Sequence, residues 1–383
     1  MNSKRLRVLH VITGLNAGGA EASLVKLVKY DTESVHSVIS LTGEGWYSNS
    51  LRGIAKEVIP FRSKGLKACL LPFKVFSAIR KQNHDVVQTW MYHADLVGGL
   101  AAFLCRVPVV WGIRNSTLSS GTSGLRTRAI VRLNAVLSHV VPKYIISCSE
   151  EAFKVHLNKG YCAGRARTVH NGCDVTRFSP SPNARREIRA VLGIRQDAKL
   201  FGMVARAHDQ KNHRGLLEAL RAMTQSENTT AVKLLLVGDG VCDENGVVRR
   251  YIRKLGIGDM CLTLGPRSDI ESIMQALDVH VLSSTYGEAF PNVLVEAMAC
   301  GVPCVATDIG ESGYILGNTG WTVKPGDVTA LSNAMADAAG SMDKICDWEA
   351  RKQACVNRVR DNFTISKMVS GFRSVWMDSV RPI

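Results

Sequence analysis

The stretch Leu200-Phe-Gly-Met-Val-Ala205 decides the fold, because an alternation of strands and helices that opens at Arg7 starts again there. The first series begins with Arg7-Val-Leu-His-Val-Ile12, which has the same apolar, strand-like character. Nearly continuous apolar strands separated by helical patterns are typical of parallel sheets covered by helices on both faces. Two such series predict an α/β chain with two doubly wound, Rossmann-like domains.

Five strands are predicted in each series. They lie at residues 7–12, 35–41, 85–89, 108–113 and 144–148, then at 200–205, 233–238, 261–264, 279–282 and 303–307. The Pro/Ser-rich stretch Ser179-Pro-Ser-Pro-Asn183 is a linker signal between the two series. We therefore predict an N-terminal domain over residues 1–182 and a C-terminal domain over residues 183–362. Ligands of doubly wound sheets bind at the carboxyl ends of the strands, so the expected site is the cleft between the domains.

The composition indicates a globular protein, with 46% hydrophobic and 21% charged residues. The eleven cysteines form no C-x-x-C pair, which favours free thiols in a reducing compartment over a zinc site. Met1 to Arg7 leads directly into a strand rather than a signal peptide. The longest apolar run, residues 96–105, is about half of a transmembrane span. A cytoplasmic location is the expectation.

The net charge of +15 is concentrated in the first half of the chain. Residues 1–193 hold 27 Lys/Arg against 11 Asp/Glu, whereas residues 194–383 hold 21 against 22. These cations are spread out and include Arg52, Lys56, Arg62, Lys64, Lys67, Lys74, Arg80, Lys81, Arg126, Arg128, Arg132 and Lys143. No basic tail with interleaved aromatic residues occurs, so nucleic acid is not an expected partner. A solvated basic surface and a surface facing an anionic membrane both remain open.

Two glutamates stand eight positions apart in an otherwise uncharged segment, residues 284–303. Glu288 lies in a Gly/Pro-rich turn, and Glu296 lies in the Ala/Met/Leu-rich helix that follows. Carboxylates in apolar surroundings are unfavourable unless a polar group contacts them. Vicinal hydroxyls are such groups, because an ionised carboxylate accepts two hydrogen bonds from them. The segment therefore indicates a site for a polyhydroxylated ligand.

Cations and glycines follow other predicted strands. Arg206 and Lys211 come directly after the strand at 200–205, where they could bind a diphosphate, although a solvated loop is the alternative. Gly18 and Gly19 precede a helix, where they could admit a phosphate or simply form a tight turn. His93 follows the strand at 85–89, where a structural and a catalytic role are both open.

Together these features resemble a bacterial, polysaccharide-type member of retaining glycosyltransferase family 4, which has the GT-B fold. The resemblance covers essentially the whole chain. Its motifs are Glu-x7-Glu at 288–296, continued to Pro303, Arg-x4-Lys at 206–211, Gly-Gly-Ala-Glu at 18–21, Asn-Gly-x-Asp-x3-Phe at 171–178, and Gly-x3-Asp at 265–269. Each motif is weak alone, and five in the right order are strong.

The resemblance implies roles for the matching residues on the donor side. Glu296 would bind the ribose of a nucleotide sugar, and Glu288 would contact the sugar beside the amides of Ala289 and Phe290. Arg206 and Lys211 would neutralise the leaving diphosphate. The remaining donor residues would be Gly18 and Gly19, which let the first domain close over the diphosphate, and Arg267 and Ile270, which border the base pocket.

The family's active-site histidine corresponds to His93, close to the anomeric carbon. Retention in the family is ascribed to attack on the same face, so no enzyme nucleophile is assigned. No D-x-D sequence occurs in the chain, which favours a site without a metal ion, in which Arg206 and Lys211 take the place of the metal.

The chain departs from the family at Gln88 and Trp90, where histidines are frequent. Tyr92, Arg114 and Asn115 are predicted on the acceptor side. Residues 118–124 are interpreted as a loop over the acceptor cleft or an ordinary surface loop. The helix at 363–380 resembles one that crosses back to the first domain.

The sequence thus predicts a metal-independent retaining glycosyltransferase with no cofactor, which transfers a hexose-type sugar from a UDP-sugar to a polysaccharide or lipid-linked acceptor. Its partners would be the nucleotide sugar, that acceptor and an anionic membrane. Three alternatives remain open: a nucleotide-sugar epimerase, a phosphorylase with pyridoxal phosphate, and a non-catalytic assembly subunit that binds nucleotide sugars.

Overall fold

A computed structural model describes residues 5–16, 18–61, 70–116, 124–225 and 232–381. The chain divides into two compact units. The first comprises Met1–Gly172 and Ile365–Ile383, and the second comprises Cys173–Thr364. The predicted boundary between residues 182 and 183 lies inside the second unit, and the C-terminal helix belongs to the first.

The first unit contains a parallel sheet of seven strands, in the order β3-β2-β1-β4-β5-β6-β7. The strands are β1 Leu6–Ile12, β2 Ser34–Ser40, β3 Glu57–Pro60, β4 Val86–Trp90, β5 Val109–Ile113, β6 Tyr144–Ser147 and β7 Ala166–Thr168.

Helices cover both faces of this sheet, because successive strand residues point to opposite sides. Leu9 and Val11 contribute to a core with helices α3 to α6, whereas Val8 and Ile12 contribute to a second core with α1 and α15. The helices are α1 Gly19–Tyr30, α2 Ser48–Arg52, α3 Leu71–Lys81, α4 Tyr92–Leu104, α5 Leu125–Leu137, α6 Glu150–Leu157 and, far along the chain, α15 Ile365–Val380.

The second unit contains a parallel sheet of six strands, in the order β10-β9-β8-β11-β12-β13. The strands are β8 Lys199–Val204, β9 Val232–Val237, β10 Cys261–Leu264, β11 Val279–Leu282, β12 Cys304–Thr307 and β13 Trp321–Val323.

The helices of the second unit pack on its strands in the same manner. Phe201 and Met203 of β8 join the core formed with α8, α9 and α13, while α11 packs on β11 and β12. The helices are α7 Pro182–Val191, α8 His213–Thr224, α9 Val247–Leu255, α10 Ile270–Ala276, α11 Asn292–Ala299, α12 Ser312–Leu316, α13 Val328–Ser341 and α14 Ile345–Asn362. Both units are doubly wound α/β folds, which confirms the predicted fold class.

Three strands were not predicted, namely β3, β7 and β13, and each lies at the edge of its sheet. An edge strand has a neighbour on one side only, and none of the residues in these three strands is fully buried. Such strands need no continuous apolar run, so the pattern that identified the central strands is absent from them.

Among the described residues, no helix combines the length and the hydropathy that are needed to cross a membrane. The ten cysteines of this part of the chain are all free. Cys300 and Cys304 are buried at the end of α11 and the start of β12.

Candidate active site

Both sheets have a point where the strand order reverses, and the candidate residues lie in the loops at these points. In the second unit the reversal is between β8 and β11, which are neighbours in the sheet. The loop after β8 carries Arg206 and Lys211, and the loop after β11 carries Glu288. Loops that diverge from adjacent parallel strands leave a crevice, which is the usual ligand site of such sheets.

Lys211 and Glu288 form an ion pair at this crevice. The lysine Nζ lies 2.5 Å from the glutamate Oε1, and the Ser284 hydroxyl donates to the same oxygen at 2.7 Å. The side chains of Lys211 and Glu288 are 18% and 10% exposed. These two hydrogen bonds compensate the carboxylate for the water that it loses on burial. The pair is thus a partly desolvated, preorganised polar group that a ligand can reach.

Backbone contacts hold the two loops against each other. The Thr285 amide donates to the Gln210 carbonyl at 2.9 Å, and the Ser283 hydroxyl donates to the Lys211 carbonyl at 2.9 Å. Thr307 at the end of β12 donates its hydroxyl to the Ser284 carbonyl at 2.6 Å. Three strand ends therefore determine where Lys211 and Glu288 lie.

The backbone of Gly310 packs closely against the backbone of Glu288. Gly310 has a φ of +58°, and a Cβ added there would lie 2.1 Å from the Glu288 carbonyl oxygen. The following amide, that of Glu311, donates to the Ala289 carbonyl at 3.1 Å. Ala289 and Phe290 are almost fully buried, and the Phe290 ring packs edge-on against Phe363. Their side chains therefore pack inside the second unit and shape the loop.

Asn212 turns the chain from the Lys211 loop into α8. It has left-handed backbone angles, φ 52° and ψ 48°, and its side chain accepts from the Gly215 amide at 3.1 Å as the helix N-cap. Asparagine tolerates this conformation better than most residues, which explains its place in the loop.

Two buried histidines lie behind the site. Burial lowers the pKa of His280 to about 3, with a smaller contribution from Lys211, and lowers the pKa of His213 to about 4. Neither ring nitrogen of His280 has a hydrogen-bond partner among the described residues. Both rings are therefore neutral near pH 7.

Arg206 is exposed at the end of β8, and no described residue forms an ion pair or hydrogen bond with its side chain. Arg267 differs, because its guanidinium makes a bidentate pair with Asp269 at 2.7 and 2.8 Å. Ile270 is the first residue of α10 and is partly buried. The guanidinium of Arg206 is thus available to an anion, while that of Arg267 already has a carboxylate partner.

Glu296 lies partly buried on α11, and an arginine that we had not predicted is near it. Arg177 donates to Glu271 at 2.6 and 3.0 Å and to the Ser268 carbonyl at 3.1 Å. The hydrogen bonds to Glu271 are the main cause that raises the pKa of Arg177, and the charge of Glu296 adds to it. The signal was available in the sequence, because Arg177 stands inside the motif that ends at Phe178.

The corresponding point of the first unit lies between β1 and β4. Gly18 is the N-cap of α1 with an extended backbone and no side-chain cap, and Gly19 begins the helix. His93 is exposed in the first turn of α4, and partial burial lowers its pKa. Gly18, Gly19 and His93 thus share the switch point of this sheet, where the carboxylate of Glu21 also lies close to Gly18.

Met91, just before that turn, has φ 73° and ψ 160°. A residue with a side chain rarely adopts these angles, and they store about 1–3 kcal/mol of strain. Asp95 holds the strained turn in place, because it accepts from the Thr89 hydroxyl at 2.5 Å and from the Gly112 amide at 3.4 Å. Burial raises the pKa of Asp95 to about 8. Strain of this kind is often found at functional sites.

Two of the three acceptor-side predictions fall on inward-facing side chains. Tyr92 is buried and its hydroxyl lies 2.9 Å from His156 Nε2, so it belongs to the core and not to a binding surface. Arg114 donates to Asn171 at 2.8 Å and stacks on the Trp90 ring. Asn115 is partly buried at the end of the described segment. Residues 118–123 of the predicted cleft loop lie outside the described residues.

Gln88 and Trp90, where the chain departs from the family, are fully buried beneath α15. Gln88 accepts from the Trp376 indole at 2.9 Å, and the Trp90 indole donates to His10 at 3.2 Å. Trp90 also stacks on Phe372, with ring centroids 5.7 Å apart. These residues therefore dock the C-terminal helix.

Two family models match successive stretches of the chain. The sequence-family model described as "Glycosyltransferase Family 4" matches residues 17–177. The sequence-family model described as "Glycosyl transferases group 1" matches residues 184–349. "Putative glycosyltransferase EpsF" of Bacillus subtilis (strain 168) is 30% identical over 324 residues, which cover 80% of each chain. The chain belongs to glycosyltransferase family 4.

Two further relatives are informative for this family 4 glycosyltransferase. The enzyme of Escherichia coli named UDP-Gal:alpha-D-GlcNAc-diphosphoundecaprenol alpha-1,3-galactosyltransferase is 24% identical over 320 residues, 83% of this chain and 80% of the enzyme. The crystal structure of Anabaena Alr3699/HepE in complex with UDP superposes with a TM-score of 0.85 at 23% identity, over 97% of this chain and 100% of that one. The latter likeness establishes the two-domain GT-B fold class.

Proposed function

We propose that this glycosyltransferase is a retaining, metal-independent enzyme that transfers a sugar from a UDP-sugar to a polysaccharide or lipid-linked acceptor in glycan biosynthesis. The observation that carries the proposal is the Lys211–Glu288 ion pair at the switch point of the second sheet. It supplies one group for a diphosphate and one group for a sugar in adjacent positions.

The pair suggests how a donor would bind. Lys211 neutralises the charge of Glu288, and the Ser284 hydroxyl donates a hydrogen bond to the same oxygen. When a diphosphate enters, Lys211 can turn toward it, and the glutamate oxygen that it leaves can accept hydrogen bonds from sugar hydroxyls. Arg206 needs no such exchange, since it has no partner among the described residues.

Charge stabilisation would then supply catalysis. The leaving diphosphate gains negative charge as its bond to the sugar breaks, and the sugar becomes oxocarbenium-like. Arg206 and Lys211 are cations that could oppose this charge before the reaction starts, and preorganised charges stabilise the transition state more than the ground state. No side chain is assigned as a nucleophile, and the diphosphate would accept the acceptor's proton.

Recognition of the nucleotide is assigned to groups near α10 and α11. Glu296 would accept hydrogen bonds from the ribose hydroxyls, while Arg267 and Ile270 would border the base. Gly18 and Gly19, which belong to the first unit, would approach the diphosphate. The choice of UDP is supported by the UDP complex of HepE, whose companion structure holds UDP-glucose, and by the UDP-Gal named for the E. coli relative.

The acceptor is assigned to the first unit, with His93 as the group nearest the reaction. His93 is exposed on the turn that follows Met91, a residue with a strained backbone. The hydrogen bonds of Asp95 hold this turn in place. The buried Tyr92 is not proposed as a contact, and Arg114 would act by holding Asn171 in place.

Thermal-shift assays with a panel of UDP-, GDP- and ADP-sugars test the donor. A UDP-sugar should raise the midpoint temperature by mass action, while the GDP and ADP counterparts should not. Transfer is then measured with the preferred donor in EDTA, and the anomeric configuration of the product is read by NMR. An inverted product, activity that EDTA abolishes, or preference for another nucleotide would each contradict the corresponding part of the proposal.

The same assays separate the alternatives. An epimerase would convert the donor into another nucleotide sugar without any acceptor, and a non-catalytic subunit would show donor binding with no product. A phosphorylase would carry the absorbance of pyridoxal phosphate, which depends on a lysine Schiff base.

A further inference from the structure

Helix α5 carries an apolar face that no described part of the chain covers. Leu125, Val136 and, just beyond the helix, Val140 are 77%, 71% and 61% exposed, and Leu133 is 47% exposed. The opposite face of the helix is buried, with Val131 and Ala135 in the core of the first unit. A solvent-facing helix surface is normally polar, so an aliphatic one indicates a partner.

Arginines border this face on both sides. At 100° per residue, Leu125, Ala129, Leu133 and Val136 fall within an arc of about 80°. The exposed Arg126 and Arg132 lie about 20° beyond its two edges. The helix contains no aspartate or glutamate. We call the surface formed by these six residues the α5 face.

The α5 face lies close to the candidate acceptor residues. Asn134, on the buried side of α5, donates to the Tyr92 carbonyl at 2.9 Å. That carbonyl belongs to the first turn of α4, which also carries His93. The helix therefore passes beside the turn to which the acceptor is assigned.

We propose that the α5 face adsorbs the first unit to an anionic lipid bilayer. An aliphatic strip with cations at its margins is the arrangement of helices that lie in the interfacial plane, because aliphatic groups enter the acyl boundary while arginines meet anionic headgroups. Protein interfaces are instead rich in aromatic residues, and this face has none. The inference rests on the proposed function for its purpose, since a lipid-linked acceptor would be presented at such a surface.

Vesicle sedimentation of the full-length protein tests the proposal without donor or acceptor. Wild-type protein should bind phosphatidylcholine vesicles only when phosphatidylglycerol is added, and the binding should weaken as salt rises. Arg126→Gln and Arg132→Gln should each reduce partitioning about fivefold. Val136→Ser together with Leu133→Ser should reduce it about tenfold.

Matched controls come from the second unit. Val191, the last residue of α7, is 79% exposed, and Arg250 is exposed on α9. Val191→Ser and Arg250→Gln should leave partitioning unchanged. Equal effects of these control variants and the α5 variants would overturn the proposal, as would equal binding to neutral vesicles or no binding at all.

A second copy of the chain is the other occupant that the test can reveal. If Leu133→Ser with Val136→Ser changes the mass in light scattering and leaves vesicle binding intact, the α5 face is a dimer interface and the proposal is wrong. Transfer to a water-soluble acceptor measures the proposed function separately. Loss of vesicle binding with full transfer activity would leave the enzyme assignment standing, and the reverse result would leave the membrane assignment standing.

Discussion

Lys211 Nζ and Glu288 Oε1 lie 2.5 Å apart although 77 residues separate them in the chain. The contact exists because β8 and β11 are adjacent in a parallel sheet, and their following loops meet at its carboxyl edge. One residue of each loop thus completes a charge pair that neither loop could form alone.

Lys211→Ala should reduce transfer by about 10²–10³, because it removes one preorganised cation from the developing diphosphate charge. The fold should persist, since the Ser284 hydroxyl still donates to Glu288. Steady-state kinetics with the preferred UDP-sugar, together with circular dichroism, would measure both effects. Lys324→Ala, an exposed lysine at the end of β13, is the control that should keep normal activity. A Lys211→Ala enzyme of nearly normal rate would show that the cation is not part of the catalytic machinery.

Ser284→Ala should weaken donor binding and turnover together by about 10- to 100-fold, as expected for a lost hydrogen bond to a buried charged group. Its hydroxyl donates to Glu288 at 2.7 Å, and both residues are buried. Isothermal titration with the donor and initial-rate kinetics would check this. Ser341→Ala is the matched control, because within the described parts of the chain that hydroxyl bonds only to the Asp337 carbonyl, at an exposed position. Unchanged affinity in Ser284→Ala would mean that Lys211 alone orients the glutamate.

Gly310→Ala should destabilise the second unit by more than the 1–2 kcal/mol that a left-handed backbone costs about any residue with a Cβ. The added Cβ would lie 2.1 Å from the Glu288 carbonyl oxygen, so the loop that carries Glu288 must move. Chemical denaturation and donor affinity would report the two consequences.

Gly326→Ala is the control that adds backbone strain without a steric clash. Its φ is +77°, and an added Cβ would meet nothing within 4 Å. This variant should lose only the stability that a left-handed backbone costs an alanine, and it should retain donor binding. If Gly310→Ala and Gly326→Ala lower the free energy of unfolding equally, the close approach at Gly310 does not contribute to the loss of stability.

Acidification should destabilise the second unit through His280. Burial lowers the pKa of His280 to about 3 in the folded state, whereas the unfolded chain binds a proton below about pH 6.5. The free energy of unfolding should therefore fall by about 1.4 kcal/mol per pH unit for this group as pH drops from about 6.5 toward 3.

His280→Leu should reduce the slope of the free energy of unfolding against pH by the contribution of one proton. The reason is that leucine cannot bind a proton in the unfolded state. Urea denaturation of both proteins between pH 7 and pH 5 would measure the difference. Equal slopes for wild type and His280→Leu would show that His280 does not link folding to pH in this range.

The sequence alone determined the fold class and the loops that carry the candidate site. Buried parallel strands need continuous apolar runs, so the alternation at residues 7–12 and 200–205 was sufficient to predict two doubly wound sheets. Because ligands bind at the carboxyl ends of such strands, the same pattern indicated Arg206 and Lys211. Glu288 was indicated by its place in an otherwise uncharged segment. These inferences depend on local periodicity and chain order, which a sequence displays directly.

Only the tertiary structure decided which side chains face inward and which groups pair. Gln88 contacts Trp376 across 288 residues, and this docking of α15 buries Gln88 and Trp90 in the core. Tyr92 is likewise withdrawn from the predicted acceptor surface by His156, and Arg177 reaches Glu271 and Ser268 from a distant motif. Burial and ion pairing depend on what packs from elsewhere in the chain, and that information is absent from any local stretch of residues.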